Sequence, residues 1–195
     1  MTALFGGPGF SARPLARDEL PQLQVLFDAN PASFLVVNGR PAPPDAAQAE
    51  FDERPPAHLA WRQHWIAGLW SPQGALLGVL VLVADLGAPG VWHIGLLLID
   101  VAHQGTGLAG AVMAALEDWA RAAGAQWLRL GVVAGNSRAE RFWQRQGFSE
   151  ARVRHGVDTG GRLNTVRVMV KPLAGGALGD YLQLVPRDHR ESDLP

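Results

Sequence analysis

The chain contains no cysteine. Disulfides are therefore excluded, and so is a thiol nucleophile; group transfer must be direct or use another covalent residue. Lysine is almost missing: Lys171 stands alone, and arginine carries nearly all the positive charge. Charged residues make up only 18%, and they balance to a net −1. Such a balance exerts no bulk pull on nucleic acid or an anionic membrane, so neither is expected as a partner. Long apolar runs are absent as well. The longest, Ala75 to Ala84, falls short of the ~20 residues that a membrane-spanning helix needs. The opening "MTALFGGPGFSARP" lacks a basic segment followed by an apolar one. It does not read as a secretory leader, and the expected location is the cytoplasm. No internal repeat is visible.

What is present is an ordinary globular pattern. With 195 residues, 48% of them hydrophobic, the chain can build one domain with a real core. Phe10 to Leu15 reads as a first strand. Asp18 is a plausible N-cap, with Leu20, Leu23 and Phe27 on one helical face and Asn30-Pro31 as the stop. Pro41 to Pro56 is irregular, with a short helix in "DAAQAEFDE". It reads either as a surface excursion or as a wall over an acceptor pocket. Three strand-like runs follow, Trp65 to Trp70, Leu76 to Ala84 and Val91 to Ile99. Their tight turns predict an antiparallel meander.

Leu108, Val112, Leu116 and Trp119 then form a helical stripe that Gly124 closes. "WLRLGVV" is the next strand, and the helical crossover makes it parallel to the Val91–Ile99 run. Asn136 caps a helix that ends at Gly147. Strands around Phe148–Val157 and Thr165–Pro172 finish the sheet, joined by "DTGG". Residues 1–174 are expected to form the domain, and 175–195 a loosely held tail. The fold class is α/β with a mixed sheet, an antiparallel meander followed by one parallel βαβ unit.

The most informative stretch is "HQGTGLAG", His103 to Gly110. Its Gly105, Gly107 and Gly110 spell G-x-G-x-x-G, the fingerprint of dinucleotide binding. The neighbours disagree. Asp100 to Gln104 separate the strand from Gly105, only one βαβ unit is present, and the next strand ends "VVAGN" without a ribose-binding acid. A Walker loop fails too, because no lysine follows the glycines. The physics that survives is a glycine-lined helix N-terminus, which favours a phosphate.

Two motifs in order then carry a resemblance. Gln104-Gly-Thr-Gly107-Leu-Ala109 follows a strand and opens a helix; "NSRAERFWQRQGF", Asn136 to Phe148, comes one helix and one strand later. Together they resemble the GNAT superfamily of acetyl-CoA-dependent N-acetyltransferases, over about Leu76 to Val170. Val101 stands where that family usually has proline, and Trp143 where it has tyrosine.

The resemblance implies a GNAT-type fold with splayed central strands. The pantetheine arm of acetyl-CoA would pair with backbone near Leu97, Leu98 and Ile99. The pyrophosphate would rest on the amides of Gly105, Thr106, Gly107, Leu108, Ala109 and Gly110, with the motif residue Gln104 also in the cofactor site. Asn136, Ala139, Phe142 and Trp143 would touch the cofactor from the second helix. No metal is implied, and a homodimer is the assembly the resemblance suggests.

The implied reaction is attack of a neutral amine on the acetyl thioester. Relatives place a glutamate eleven positions before the motif glutamine, and here that position is His93. Histidine titrates near neutrality, as a base should, but packing beside Trp92 is an equal reading. Asp85 is a weaker candidate, and a water chain another. A second family position for glutamate, five before Asn136, is Gly131. Trp143 could hydrogen-bond the leaving sulfur or pack against pantetheine. Asn164, Arg62, His64, Trp61 and Trp65 are candidates for an acceptor pocket, or simply surface and core. The expected function is transfer of acetyl to a primary amine of a small molecule or protein. The alternative is a catalytically silent acyl-CoA-binding sensor or scaffold.

Overall fold

A computed structural model describes residues 2–192 and 194. The chain opens with a hairpin, β1 (Phe5–Gly7) and β2 (Phe10–Pro14). β1 is an addition to the expected layout; three residues are too few to show a period. A 3-10 turn at Arg17–Glu19 leads into α1 (Leu20–Asp28). Asp18 is not its cap. The Glu19 carboxylate instead accepts from the Ala16 amide at 2.8 Å and pairs with Arg13 at 2.5 Å. Asn30-Pro31 ends α1 and also starts α2 (Pro31–Asn38), because proline suits the first helical position. The proline-rich stretch holds α3 (Ala46–Asp52), whose Ala46 and Ala47 are buried.

β3 (Gln63–Trp70), β4 (Leu76–Ala84) and β5 (Val91–Ile99) make the antiparallel meander. α4 (Leu108–Ala122) crosses over to β6 (Trp127–Val133), which pairs parallel with β5. α5 (Ser137–Arg145) leads to the hairpin of β7 (Ser149–Asp158) and β8 (Leu163–Pro172), and α6 (Leu178–Leu184) follows. The eight strands lie in the order β1-β2-β3-β4-β5-β6-β8-β7. The α/β class, the mixed sheet and its single parallel pair are therefore as the sequence implies.

Strand alternation divides the core between two faces. On the first face, Trp92, Ile94, Leu128 and Leu130 pack with Val112, Met113 and Leu116 of α4. Trp65, Trp92 and Trp119 stack there with ring centroids 5.3 Å apart. On the second face, α1 and α3 pack with Val79 and Leu98, while Tyr181 of α6 packs with Val91, Trp127 and Val170.

The sequence predicts a loose tail after Gly175, and the structure corrects this. α6 and a 3-10 turn at Pro186–Asp188 form a strap on the second face, with Tyr181 and Asp188 both 0% exposed. Asp188 makes a bidentate ion pair with Arg129 at 2.7 and 3.0 Å and accepts from the Tyr181 hydroxyl. The strap thus packs as part of the same body. Its anchor was hidden because the partners lie 59 residues apart.

Candidate active site

The two central strands part company halfway along. β5 and β6 pair from Val91↔Trp127 to Ile94↔Leu130, and no further. β5 continues to Ile99 and β6 to Val133. Between them opens a gap lined by bare strand edges. At its base, Gly95 is bulged: Ile94 and Leu96 pair with consecutive residues of β4, and Gly95 with neither. Gly95 and the facing Gly131 are exposed, unlike their neighbours Ile94 and Leu130. Backbone N–H and C=O groups along such edges need partners, so the gap invites an extended chain carrying amides.

The glycine loop stands at the open end of this gap. Gly105 (φ +80) and Gly107 (φ +91) both occupy the left-handed region, and a Cβ at either would meet no protein atom within 4 Å. Glycine is required there by conformation, not by internal crowding, and the space in front is open. The first bond closing α4 runs from Ala111 N–H to Gly107 C=O at 3.1 Å. The amides of Ala109 and Gly110 therefore have no acceptor within the helix, and Leu108 N–H reaches only the Thr106 hydroxyl at 3.5 Å. Amides and helix dipole together present the positive end that an anion would meet.

Gln104 itself is turned inward. Its side-chain amide donates to the Ile99 carbonyl and the Asn30 side chain, both at 2.8 Å. It fixes the loop against the end of β5 and the α1–α2 corner. Toward a ligand it offers backbone, and the Ile99 carbonyl is already engaged, leaving Leu97 and Leu98 as the freer stretch of edge.

Asn136 caps α5, its side chain accepting from Ala139 N–H at 3.2 Å. Its carbonyl accepts from Glu140 N–H at 2.9 Å. Trp143 is buried between Phe142 and Phe148, with centroids at 4.9 and 5.3 Å. Ala139 and Phe142 are half-buried beside it. The α5 residues therefore offer a mainly apolar wall.

His93 lies on the second face, one pair before the gap opens. Its Nδ1 is 3.2 Å from Arg129 Nη1. A guanidinium only donates, so Nδ1 accepts and the proton of the neutral ring sits on Nε2. Burial, and then the Arg129 charge, push its pKa down to about 3. A base needs a free lone pair and a pKa near working pH. Held this way, His93 has neither. Asp85 is engaged as well, accepting from Gly90 N–H at 2.8 Å and Arg62 at 2.6 Å in a left-handed turn.

One carboxyl that the sequence reading passed over is poised differently. Glu50 of α3 has its pKa raised to about 7, by burial first and by Glu53 second. Its helix packs in the cluster that includes Leu96 and Leu98, the strand residues beside the gap. No sequence signal marked it, since burial is a tertiary property.

The remaining candidates separate. Trp65 belongs to the first-face aromatic stack, Arg62 pairs with Asp85, and Trp61 is exposed. His64 pairs in register with Val83, and burial lowers its pKa. Asn164 is buried and structural. It donates to the Val37 carbonyl at 2.7 Å, and Thr159 donates to the same carbonyl at 2.8 Å. The β7–β8 hairpin thereby caps α2 and encloses the second face from the far side.

A mixed sheet that splays beside a glycine-rich helix N-terminus is the arrangement that resemblance to the GNAT class implies. The sequence comparison is consistent with that class. Residues 24–148 match the acetyltransferase (GNAT) family, so the chain belongs to that family and is an enzyme of the N-acetyltransferase kind. No curated protein matches the chain. Solved structures share its fold. An acetyltransferase from Thermus thermophilus is 24% identical with a TM-score of 0.63, covering 84% of this chain and 97% of that one. Spermidine N-acetyltransferase from Vibrio cholerae, in complex with CoA and spermine, is 17% identical (TM-score 0.65; 86% and 98% covered). The ribosomal-protein-S18-alanine N-acetyltransferase of Escherichia coli is 16% identical (TM-score 0.61; 86% and 96%).

Proposed function

We propose that the chain transfers acetyl directly from acetyl-CoA to a primary amine. The observation that carries this reading is the β5–β6 gap opening onto the Gly105–Gly110 amides. The loop would take the pyrophosphate, the edge at Leu97 and Leu98 the pantetheine amides, and Ala139, Phe142 and Trp143 its apolar flank. Backbone N–H groups around the Gly95 bulge are the donors a developing oxyanion would meet. α4 occupies the first face, so the acceptor enters from the second. The spermidine and ribosomal-protein-alanine enzymes among the structural neighbours support a nitrogen acceptor. Glu50, with its pKa near neutrality, is the proton acceptor we propose in place of His93. We place the reaction in the cytoplasm, without nucleic acid, membrane or metal.

A second reading rests on His93 and Trp143. With one lone pair engaged and no tyrosine hydroxyl near the thioester, the chain would bind acyl-CoA as a silent sensor. Calorimetry with acetyl-CoA, and release of CoA thiol across a panel of amines, separates the two. Amine-dependent release supports transfer. Tight acetyl-CoA binding with release no faster than hydrolysis for every amine supports the sensor.

A further inference from the structure

Among the described residues, the second face gathers more arginines than carboxylates paired with them. Arg129 stands opposite Val170. Gly131 pairs with Val168 and that with Arg152; Val133 pairs with Val166 and that with Arg154. Directly paired residues share a face, so Arg129, Arg152 and Arg154 all project from the face that His93 occupies. Arg187 joins them from the strap. Adjacent strands lie ~4.8 Å apart, so β7 is roughly 10 Å from the bare edge of β6. A long arginine side chain covers most of that span, and Arg152 and Arg154 line one recess with Arg190 and Glu191.

Among the described residues, Asp188 is the carboxylate paired with this cluster, while Glu191 lines the same recess as Arg152 and Arg154 without an ion pair to either. Asp188 is committed to Arg129 and Tyr181. Arg152 donates to the carbonyls of Arg187 and Ser192, which bring no negative charge. Among the described residues, the guanidinium groups of Arg154 and Arg187 meet no hydrogen-bond acceptor and no carboxylate, and Arg187 Nε is buried. Burial and their arginine neighbours push both below the usual guanidinium range. Elsewhere the same chain pairs Arg13 with Glu19, Arg62 with Asp85, and Arg167 with Glu140 and Glu150. Leaving cations part-buried and unpaired costs stability, and an oxyanion from a ligand would offset it.

We infer that Arg154 and Arg187 bind an oxyanion on the acceptor, so that the substrate is an amine bearing a carboxylate or phosphate. This rests on the proposal above that the acceptor enters from the second face. It differs from a polyamine acceptor, which carries positive charge only and would be repelled here.

The test compares matched probes on the full chain: alanine against ethylamine, and O-phosphoethanolamine against ethanolamine. Thiol release gives kcat/KM, and calorimetry on the CoA-loaded protein gives Kd. The wild type should prefer an anionic member at least 10-fold, and the pair that shows it identifies carboxylate or phosphate. Arg154→Gln and Arg187→Gln should each erase most of that preference, leaving the neutral amine and the KM for acetyl-CoA unchanged. Arg154, with no hydrogen-bond or ion-pair partner among the described residues, is the variant least able to perturb folding. Equal or better handling of the neutral amines overturns the inference. So does a rise in acetyl-CoA KM in the variants, which would assign the arginines to the cofactor. If no amine turns over, calorimetry still decides: anion-dependent binding lost in the variants keeps the subsite and sinks the transferase reading, and its absence sinks the subsite.

Discussion

The two sides of the β5–β6 gap are built by different means. The side we propose for the cofactor is made of main chain: the edge at Leu97 and Leu98, two left-handed glycines and the opening amides of α4. The side we propose for the acceptor is made of side chains drawn from distant segments, with Arg129, Asp188 and Tyr181 fastening the strap and Arg154 and Arg187 without a carboxylate partner among the described residues. Main-chain recognition needs a local pattern and tolerates many side chains. Side-chain recognition needs particular residues at tertiary distances, and it is free to differ between relatives. The family match itself ends at residue 148, before the strap and both unpaired arginines.

The largest effect should come from breaking the strap's anchor. Asp188→Asn leaves Arg129 buried beside a neutral partner, and we expect a loss of about 3–5 kcal/mol by denaturant unfolding. Replacing both, as Arg129→Met with Asp188→Leu, should recover much of it. Acid should mimic the single change. Burial raises the Asp188 carboxyl, but the Arg129 and Tyr181 bonds outweigh it and hold the pKa below the usual value. Its contribution is present above the unfolded pKa, near 3.9, and is lost as pH falls through the folded one. His93 has the same sign over a higher window: kept neutral in the fold, it costs stability as pH drops below ~6.5, down to its folded pKa of about 3. A loss under about 1 kcal/mol for Asp188→Asn would show that apolar packing alone holds the strap.

The cofactor side should respond in the opposite sense, losing binding more than stability. Gly107→Val adds a side chain where the protein leaves space but the backbone is left-handed. The strain should cost about 1–3 kcal/mol. Acetyl-CoA affinity should fall by about two orders of magnitude, read by calorimetry, since the added carbon stands where phosphate must approach. Unchanged affinity would refute the loop assignment.

This contrast explains what could be read from the sequence. Glycines at 105 and 107, the stripe from Leu108 to Trp119, the Asn136 cap and the Gly147 stop are local signals, and they located the glycine loop and the succession of β3 to β8 along the chain. β1 was too short to show a period, and Pro31 read as a stop when it was also a start. The strap was invisible because its composition is that of a loose tail, and its stability comes from one carboxylate meeting one arginine across the fold. His93 was correctly placed on the central strand, yet its role depends on Arg129, which only strand pairing brings alongside.

Glu50 lets the comparison be tested from the acceptor side with a smaller change. Its raised pKa means that the fold favours the protonated acid, so it destabilises as pH rises from the unfolded value toward about 7. Glu50→Gln should therefore stabilise the chain by about 2 kcal/mol at pH 8, after allowing for partial exposure, and do nothing at pH 4. If Glu50 also takes the amine proton, the variant should lose about 30-fold in kcat and the pH limb near neutrality should flatten. Gained stability with unchanged kcat would leave Glu50 as a merely buried acid and return the role to water.

The smallest effect should be at Trp143, which stands at the boundary of the two sides. An indole N–H donates but does not ionise usefully, so it cannot supply the proton that a tyrosine could. Its neighbours are aromatic rings on both sides, at 4.9 and 5.3 Å, and it is buried with them. Trp143→Phe keeps most of that packing and removes only the N–H. We expect kcat to change less than about 3-fold, with a stability loss of about 1–2 kcal/mol from the smaller ring. Trp143→Tyr is the sharper companion, because it restores a hydroxyl at the family's position. If the thiolate leaves unaided, Tyr and Phe should behave alike in kcat. If protonation of sulfur limits the rate, Tyr should exceed the wild type, and that gain would show that the indole supplies no acid where a hydroxyl could.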